Sequence, residues 1–356
     1  FCFAAVVSLN AQTEAKLMRQ PALSDTHIAF IYAEDLWIAN RDGSNPKRLT
    51  IDEGIESSPI FSPDGSMIAF NAEYDGNMDV FLIPSQGGIP KRLTWHPYND
   101  FVRDFTSDGK NVLFASQRNS HTNRYLQLYT VPIGGRATTQ LDIPNAFLAS
   151  YSNDDSHIAY TPIFDAFNQW KHYRGGRISR IWVYNTENHK VDEIPKPSGG
   201  SNATQPQWIG EDVYFRSDRD GEFNLYSYNT GTKSVKKHTD YKDFPVIGPK
   251  AHKNAIIYEQ AGTLHIFDTA SGADKKLTIT ITTDLLELRE RFVSGKEYVR
   301  SAAVSPSGAR VVLDFRGDIV TVPAEKGDVD NITQTTGTHE KFPQWSPDGK
   351  SIAYFS

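Results

Sequence analysis

The chain has 356 residues, enough for two domains or one large repeat array. Its net charge of −6 comes without a long basic run, which argues against a nucleic-acid partner. A single cysteine, Cys2, excludes an internal disulfide and a Cys-rich metal motif.

Residues 1–12 form a short apolar run that turns polar. It is too short to cross a bilayer, so no membrane span is expected. It reads as the remnant of a secretory signal peptide, with cleavage after Ala11. The competing reading is an apolar N-terminal strand. The signal-peptide reading places the protein in the periplasm or outside the cell.

The first clear hairpin is Ser58-Pro59-Ile60-Phe61, the turn Ser62-Pro63-Asp64-Gly65, then Met67-Ile68-Ala69-Phe70. Pro pre-sets φ, Asp bonds a following backbone N–H, and Gly takes the positive φ that closes the turn. The pattern recurs at Thr106-Ser107-Asp108-Gly109, Ser152-Asn153-Asp154-Asp155, Ser305-Pro306-Ser307-Gly308 and Ser346-Pro347-Asp348-Gly349.

A third strand follows in the order polar, aliphatic, aromatic, aliphatic, as in Asp35-Leu36-Trp37-Ile38 and Asp79-Val80-Phe81-Leu82. Its third position falls at 37, 81, 129, 182, 226, 265 and 320, spaced by 44, 48, 53, 44, 39 and 55. A short outer strand then ends in a Leu-Thr-like pair, such as Leu49-Thr50 and Leu93-Thr94. Four short strands per unit at this period are the signature of a propeller blade. The recurring aromatics read as packing between blades, not as a ligand cage.

The fold expected is all-β: a six-bladed β-propeller over 18–290, then the beginning of a second β-propeller over 296–356. The long spacing before position 320 holds the segment 279–296, which breaks the blade pattern and marks the boundary. The C-terminal residue Ser356 falls inside a strand pattern, so the chain reads as part of a longer protein.

The fourth unit carries an insertion, Phe164 to Arg177, with Lys171, His172, Arg174 and Arg177 beside the pair Gly175-Gly176. Its cations form a candidate substrate-channel site able to attract peptide carboxylates. The alternative is a surface loop anchored by Trp170 and Tyr173. Both readings stand on residues alone.

No Gly-x-Ser-x-Gly elbow and no His-Glu-x-x-His is present, and the 10 histidines are scattered. No catalytic residue, metal ligand or cofactor site is therefore assigned. Asp218-Arg219-Asp220-Gly221 reads as a hairpin turn, because the remaining oxygen ligands of a calcium loop are missing. Asn202-Ala203-Thr204 and Asn331-Ile332-Thr333 match the glycosylation triplet. The residues alone describe a binding or gating scaffold.

The repeat resembles the WD40-like blades of two groups: the periplasmic Tol-system propeller protein, and the tricorn protease with its bacterial homologues. Trp170-Lys171-His172-Tyr173-Arg174-Gly175-Gly176-Arg177 leading into Ile181-Trp182-Val183-Tyr184 favours the tricorn group. So do Arg316-Gly317-Asp318-Ile319, running on to Asn331-Ile332-Thr333, and the opening Asp35-Leu36-Trp37. The resemblance implies that the second propeller is seven-bladed and that a C-terminal serine peptidase region follows. It implies unfolded peptides or protein segments as partners, beside the chain's own peptidase domain, and a homo-oligomer is expected. The catalytic Ser and His would lie beyond Ser356. The archaeal founder of the family is cytoplasmic, which gives the alternative compartment. The competing functions are a non-enzymatic protein-binding propeller of the Tol-system type and a prolyl-oligopeptidase relative.

Overall fold

The computed structural model describes residues 14–120, 125–164, 171–282, 295–335 and 337–356. The signal-peptide reading of 1–12 and most of the boundary segment lie outside these. The chain divides into two compact units, Phe1–Thr283 and Asp284–Ser356.

The first unit holds six four-stranded antiparallel sheets, each built from strands consecutive in sequence. The first sheet is β1 (Arg19–Leu23), β2 (His27–Tyr32), β3 (Asp35–Asn40) and β4 (Lys47–Arg48). The second is β5 (Glu56–Phe61), β6 (Met67–Ala72), β7 (Asp79–Pro84) and β8 (Lys91–Arg92). The third is β9 (Asp100–Phe105), β10 (Asn111–Ser116), β11 (Gln127–Pro132) and β12 (Thr139–Gln140). The fourth is β13 (Ala149–Tyr151), β14 (His157–Tyr160), β15 (Trp182–Asn185) and β16 (Val191–Glu193). The fifth is β17 (Ala203–Ile209), β18 (Asp212–Ser217), β19 (Asn224–Asn229) and β20 (Val235–Lys237). The sixth is β21 (Ile247–His252), β22 (Ala255–Gln260), β23 (Thr263–Asp268) and β24 (Asp274–Lys276).

The first strand of each sheet touches the first strand of the next, and β21 touches β1, so the sheets close a ring. The core is correspondingly divided. Phe61, Phe70 and Phe81 pack with Leu36 and Ile38 between the first two sheets. Phe114 and Tyr129 pack with Ile60 and Leu82 between the next two. Trp37, Phe30, Ile257 and Ile279 fill the join between the sixth sheet and the first. Each sheet thus buries both faces against neighbours, which a lone sheet of this size cannot do. The closure extends to the chain before β1: Ala15 donates its backbone N–H to the Ile279 carbonyl at 2.8 Å.

Local chemistry explains the repeats. In the Ser62 turn, Gly65 N–H bonds the Ser62 carbonyl at 2.8 Å, and the Ser62 hydroxyl donates to Asp64 Oδ1 at 2.6 Å. Asp155 replaces glycine in the third copy and adopts φ 59°. The threonine of the Leu-Thr pair caps the third strand. Thr50, Thr94 and Thr239 Oγ1 accept the N–H of Leu36, Val80 and Leu225 at 2.9, 3.0 and 2.9 Å.

A second repeated device sits in the innermost strands. The register slips at Arg19/Ala22, Ser57/Ile60, Thr204/Gln207 and Ile247/Lys250. The slips hold Gln20, Ser58, Gln205 and Gly248 at φ 50°, 52°, 56° and 61°, followed in each case by proline. Proline has no N–H, so it sits where the ladder is already interrupted. The dipeptides Gln20-Pro21, Ser58-Pro59, Gln205-Pro206 and Gly248-Pro249 carry this signal, and the reading above overlooked it.

The second unit holds a four-stranded sheet, β25 (Val299–Val304), β26 (Arg310–Phe315), β27 (Asp318–Pro323) and β28 (Asp330–Asn331). A two-stranded pair follows, β29 (Lys341–Trp345) and β30 (Ile352–Phe355). Phe342-Pro343 repeats the bulge, with Phe342 at φ 54°.

Candidate functional site

The innermost strands surround a channel with two chambers. The wider, about 310 Å³, lies toward the strand ends and is lined by Phe61, Phe105, Tyr151, Trp208 and His252. The narrower, about 140 Å³, is collared by Pro21, Pro59, Pro206 and Pro249. Gln207 and Lys250 line both chambers and therefore mark the waist.

The waist carries charge that no sequence motif announces. Arg103 on β9 is 7% exposed. Its guanidinium donates to the Phe147 and Val102 carbonyls and lies 5.5 and 5.0 Å from the Phe101 and Phe147 ring centres. Burial alone pulls its pKa down to about 9. Lys250 Nζ reaches from β21 to the Arg103 carbonyl at 3.3 Å. Burial pulls Lys250 down to about 8; Asp104 opposes that fall and Arg103 adds to it. The Asp104 carboxylate accepts the backbone N–H of Tyr151 at 2.9 Å and of Phe105 at 2.8 Å, while burial pushes its pKa up.

The insertion cations sit at the rim instead. The described end of the segment between β14 and β15 folds onto the fifth sheet. Arg174 donates to Asp218 Oδ2 at 2.6 Å, and His172 Nδ1 lies 3.2 Å from the same oxygen. Lys171 pairs with Glu222. Asn202 joins them, donating from its backbone N–H to Asp218 Oδ1 at 2.7 Å and from Nδ2 to Asp218 Oδ2 at 3.0 Å. Burial disfavours the Asp218 charge, but the bonds from Arg174 and Asn202 outweigh it and hold its pKa below the ordinary range.

Arg177 lies apart, 4.4 Å from the centre of the Phe164 ring. The structure therefore brings Lys171, His172 and Arg174 together on two acids of the neighbouring sheet and leaves Arg177 out. None of the four lines the two chambers. Trp170 lies outside the described residues. Asn202 is 7% exposed and fully engaged, so its glycosylation triplet is a buried joint. No cluster of metal-ligating side chains occurs among the described residues.

A closed ring of four-stranded meanders around a channel defines the β-propeller class. Residues 15–273 match the family model of the tricorn protease N-terminal beta propeller domain, and the chain belongs to that family. It is 27% identical over 320 residues to tricorn protease homolog 1 of Streptomyces coelicolor, covering 89% of this chain and 30% of that protein. It is 23% identical over 289 residues to the tricorn protease of Thermoplasma acidophilum, covering 78% of this chain and 26% of that protein. The crystal structure of the tricorn protease superposes with a TM-score of 0.75 at 20% identity, covering 95% of this chain and 33% of that one. The chain thus spans about a third or less of the length of these relatives.

Proposed function

We propose that this chain is the N-terminal propeller part of a tricorn-like serine endopeptidase. Its six sheets form one ring that passes or gates peptides along the channel, and residues 296–356 open a second ring. A catalytic region after Ser356 supplies the Ser and His. The observation that carries this reading is the channel itself, walled by all six inner strands of a chain that belongs to the tricorn propeller family. The compartment is the periplasm or the exterior, following the apolar start at Phe1, and the protein assembles as a homo-oligomer.

The experiment is to express the whole protein and supply unstructured peptides. Cleavage is expected, and replacing one Ser or His of the following region abolishes it. The present chain alone is expected to hydrolyse nothing. A whole protein without turnover leaves a protein-binding ring and ends the peptidase reading.

The insertion is assigned to the rim contact with substrate or with the peptidase region. Its ion pairs to Asp218 and Glu222 fix the loop, and Arg177 is the cation without an acid partner among the described residues. Replacing Arg174 and Arg177 together by Ala is expected to slow peptide turnover at low salt. Unchanged turnover removes this role.

A further inference from the structure

A further cavity lies outside the channel, in a groove of about 340 Å³ between the fourth and fifth sheets. Val183, Trp208 and Tyr228 form its buried floor. Its jaws are one turn built twice. Asn185-Thr186 opens the turn from β15 to β16, and Asn229-Thr230 opens the turn from β19 to β20. Asn185 Oδ1 accepts the backbone N–H of Glu187 and Asn188 at 3.0 and 2.9 Å. Asn229 Oδ1 accepts those of Gly231 and Thr232 at 3.1 and 2.8 Å. In both jaws the Thr hydroxyl donates to a carbonyl of the neighbouring hairpin, Ser156 or Glu211, at 2.9 Å. Each jaw is therefore fixed before a ligand arrives, which reduces the ordering cost of binding.

The polar groups at the mouth are largely uncommitted. Among the described residues Lys190 Nζ and the Glu211 carboxylate enter no ion pair, and Asn188 Nδ2 makes no hydrogen bond. Asp192 and Lys233 pair across the groove at 3.4 Å, but their side chains are 68% and 56% exposed, so the pair is weak and exchangeable. Two ammonium groups thus face two carboxylates, and the charges cancel. A simple anion or cation meets as much repulsion as attraction there. A zwitterion gains little, because exposed ion pairs are screened by water. A hydroxyl both donates and accepts, so a polyol can bond groups of either sign without carrying charge.

We infer that this groove is a binding site for a neutral sugar of one or two hexose rings. The apolar floor takes the C–H face of a ring, while the few polar groups above it fix orientation. Lys190 and Asn188 donate to hydroxyl oxygens, and Glu211 and Asp192 accept from hydroxyl groups. Trp208 also lines the wide chamber, but the jaws do not, so the site stands apart from the channel and from the peptidase reading.

The test is calorimetric titration of the purified 356-residue chain, with saturation-transfer NMR as a second readout. The probes are maltose, cellobiose and lactose, with glycylglycine and inorganic phosphate as charged controls. At least one sugar is expected to bind, with affinity unchanged between low and high salt, and neither control is expected to bind. Gly231 lies outside the left-handed region, and a Cβ there would sit 3.4 Å from Asn229 Oδ1 and 3.6 Å from Glu211 Oε2. Gly231→Leu therefore fits the turn, fills the groove and is expected to weaken sugar binding about tenfold or more. Glu211→Gln and Lys190→Met alter exposed side chains and are each expected to weaken it about fivefold. Circular dichroism confirms that each variant is folded. A sugar that binds equally well as the disaccharide and as a longer oligomer assigns the groove to a free sugar, and a gain with length assigns it to a polymer. Binding of none of the sugars, preference for glycylglycine or phosphate, or undiminished binding by folded Gly231→Leu overturns the site.

Discussion

Lys250 crosses the channel to donate to the main-chain carbonyl of Arg103 at 3.3 Å, tying the sixth sheet to the third. The two residues are 147 positions apart in sequence. The contact places an ammonium group where water is scarce, with Asp104 as the acid that acts on it.

That placement has a measurable cost. Burial lowers the Lys250 pKa to about 8, so the folded chain binds this proton less well than the unfolded chain does. Stability therefore rises as pH climbs from about 8 toward the unfolded lysine value of about 10.4. Lys250→Met, which removes the charge, is expected to raise the melting temperature by roughly 2–4 °C at pH 7. The gain shrinks by pH 10. Thermal melts at the two pH values check this.

Glu56 gives a second pH signature. It is 1% exposed, and burial raises its pKa to about 7 despite the Tyr74 hydroxyl donating to Oε1 at 2.5 Å. An acid whose folded pKa is raised is most stabilising while protonated. Its contribution is lost as pH rises from about 4.3 through 7. Glu56→Gln keeps an acceptor for Tyr74 and cannot ionise. It is expected to match the parent at pH 5 and to melt several degrees higher at pH 8.

The strand cap predicts a change of fixed sign. Thr94 Oγ1 accepts the Val80 N–H at 3.0 Å and donates to Asp79 Oδ1 at 3.1 Å. Thr94→Val keeps the shape and leaves that N–H unpaired, at a cost of about 1–3 kcal/mol. Urea unfolding of the variant reads the loss. Thr239→Val, which uncaps Leu225, is expected to behave alike.

Asp218 anchors the insertion. Its side chain is fully buried and receives Arg174, His172 and Asn202. Arg174 is 35% exposed and turns to water when its partner is lost. Asp218→Ala is therefore expected to cost about 2–3 kcal/mol, mostly from the stranded Asn202 donors. Limited proteolysis is expected to cut within 171–178 in the variant sooner than in the parent.

Much of the ring was legible from short-range chemistry. Ser62-Pro63-Asp64-Gly65 dictates its turn within four residues, and Leu93-Thr94 marks a cap that serves a strand just upstream. The buried faces follow because alternation along a strand is local. The waist was not legible, since Arg103 and Lys250 lie in different sheets, 147 positions apart in sequence. The partners of Lys171 and Arg174 were hidden for the same reason: Asp218 read as part of a hairpin turn, and Glu222 lies just beyond that turn. The proline bulges could be read, because proline inside a strand pattern always asks where its missing N–H would have gone.

Those bulges bear on what the bore does to anything inside it. The innermost strand of every sheet is an open edge, and an open edge ordinarily recruits an extended chain as one more strand. Pro21, Pro59, Pro206 and Pro249 interrupt that edge on four of the six sides at the same depth. A polypeptide lying on the axis finds no continuous row of amide partners to zip against. The collar thus offers an extended chain no ladder to join.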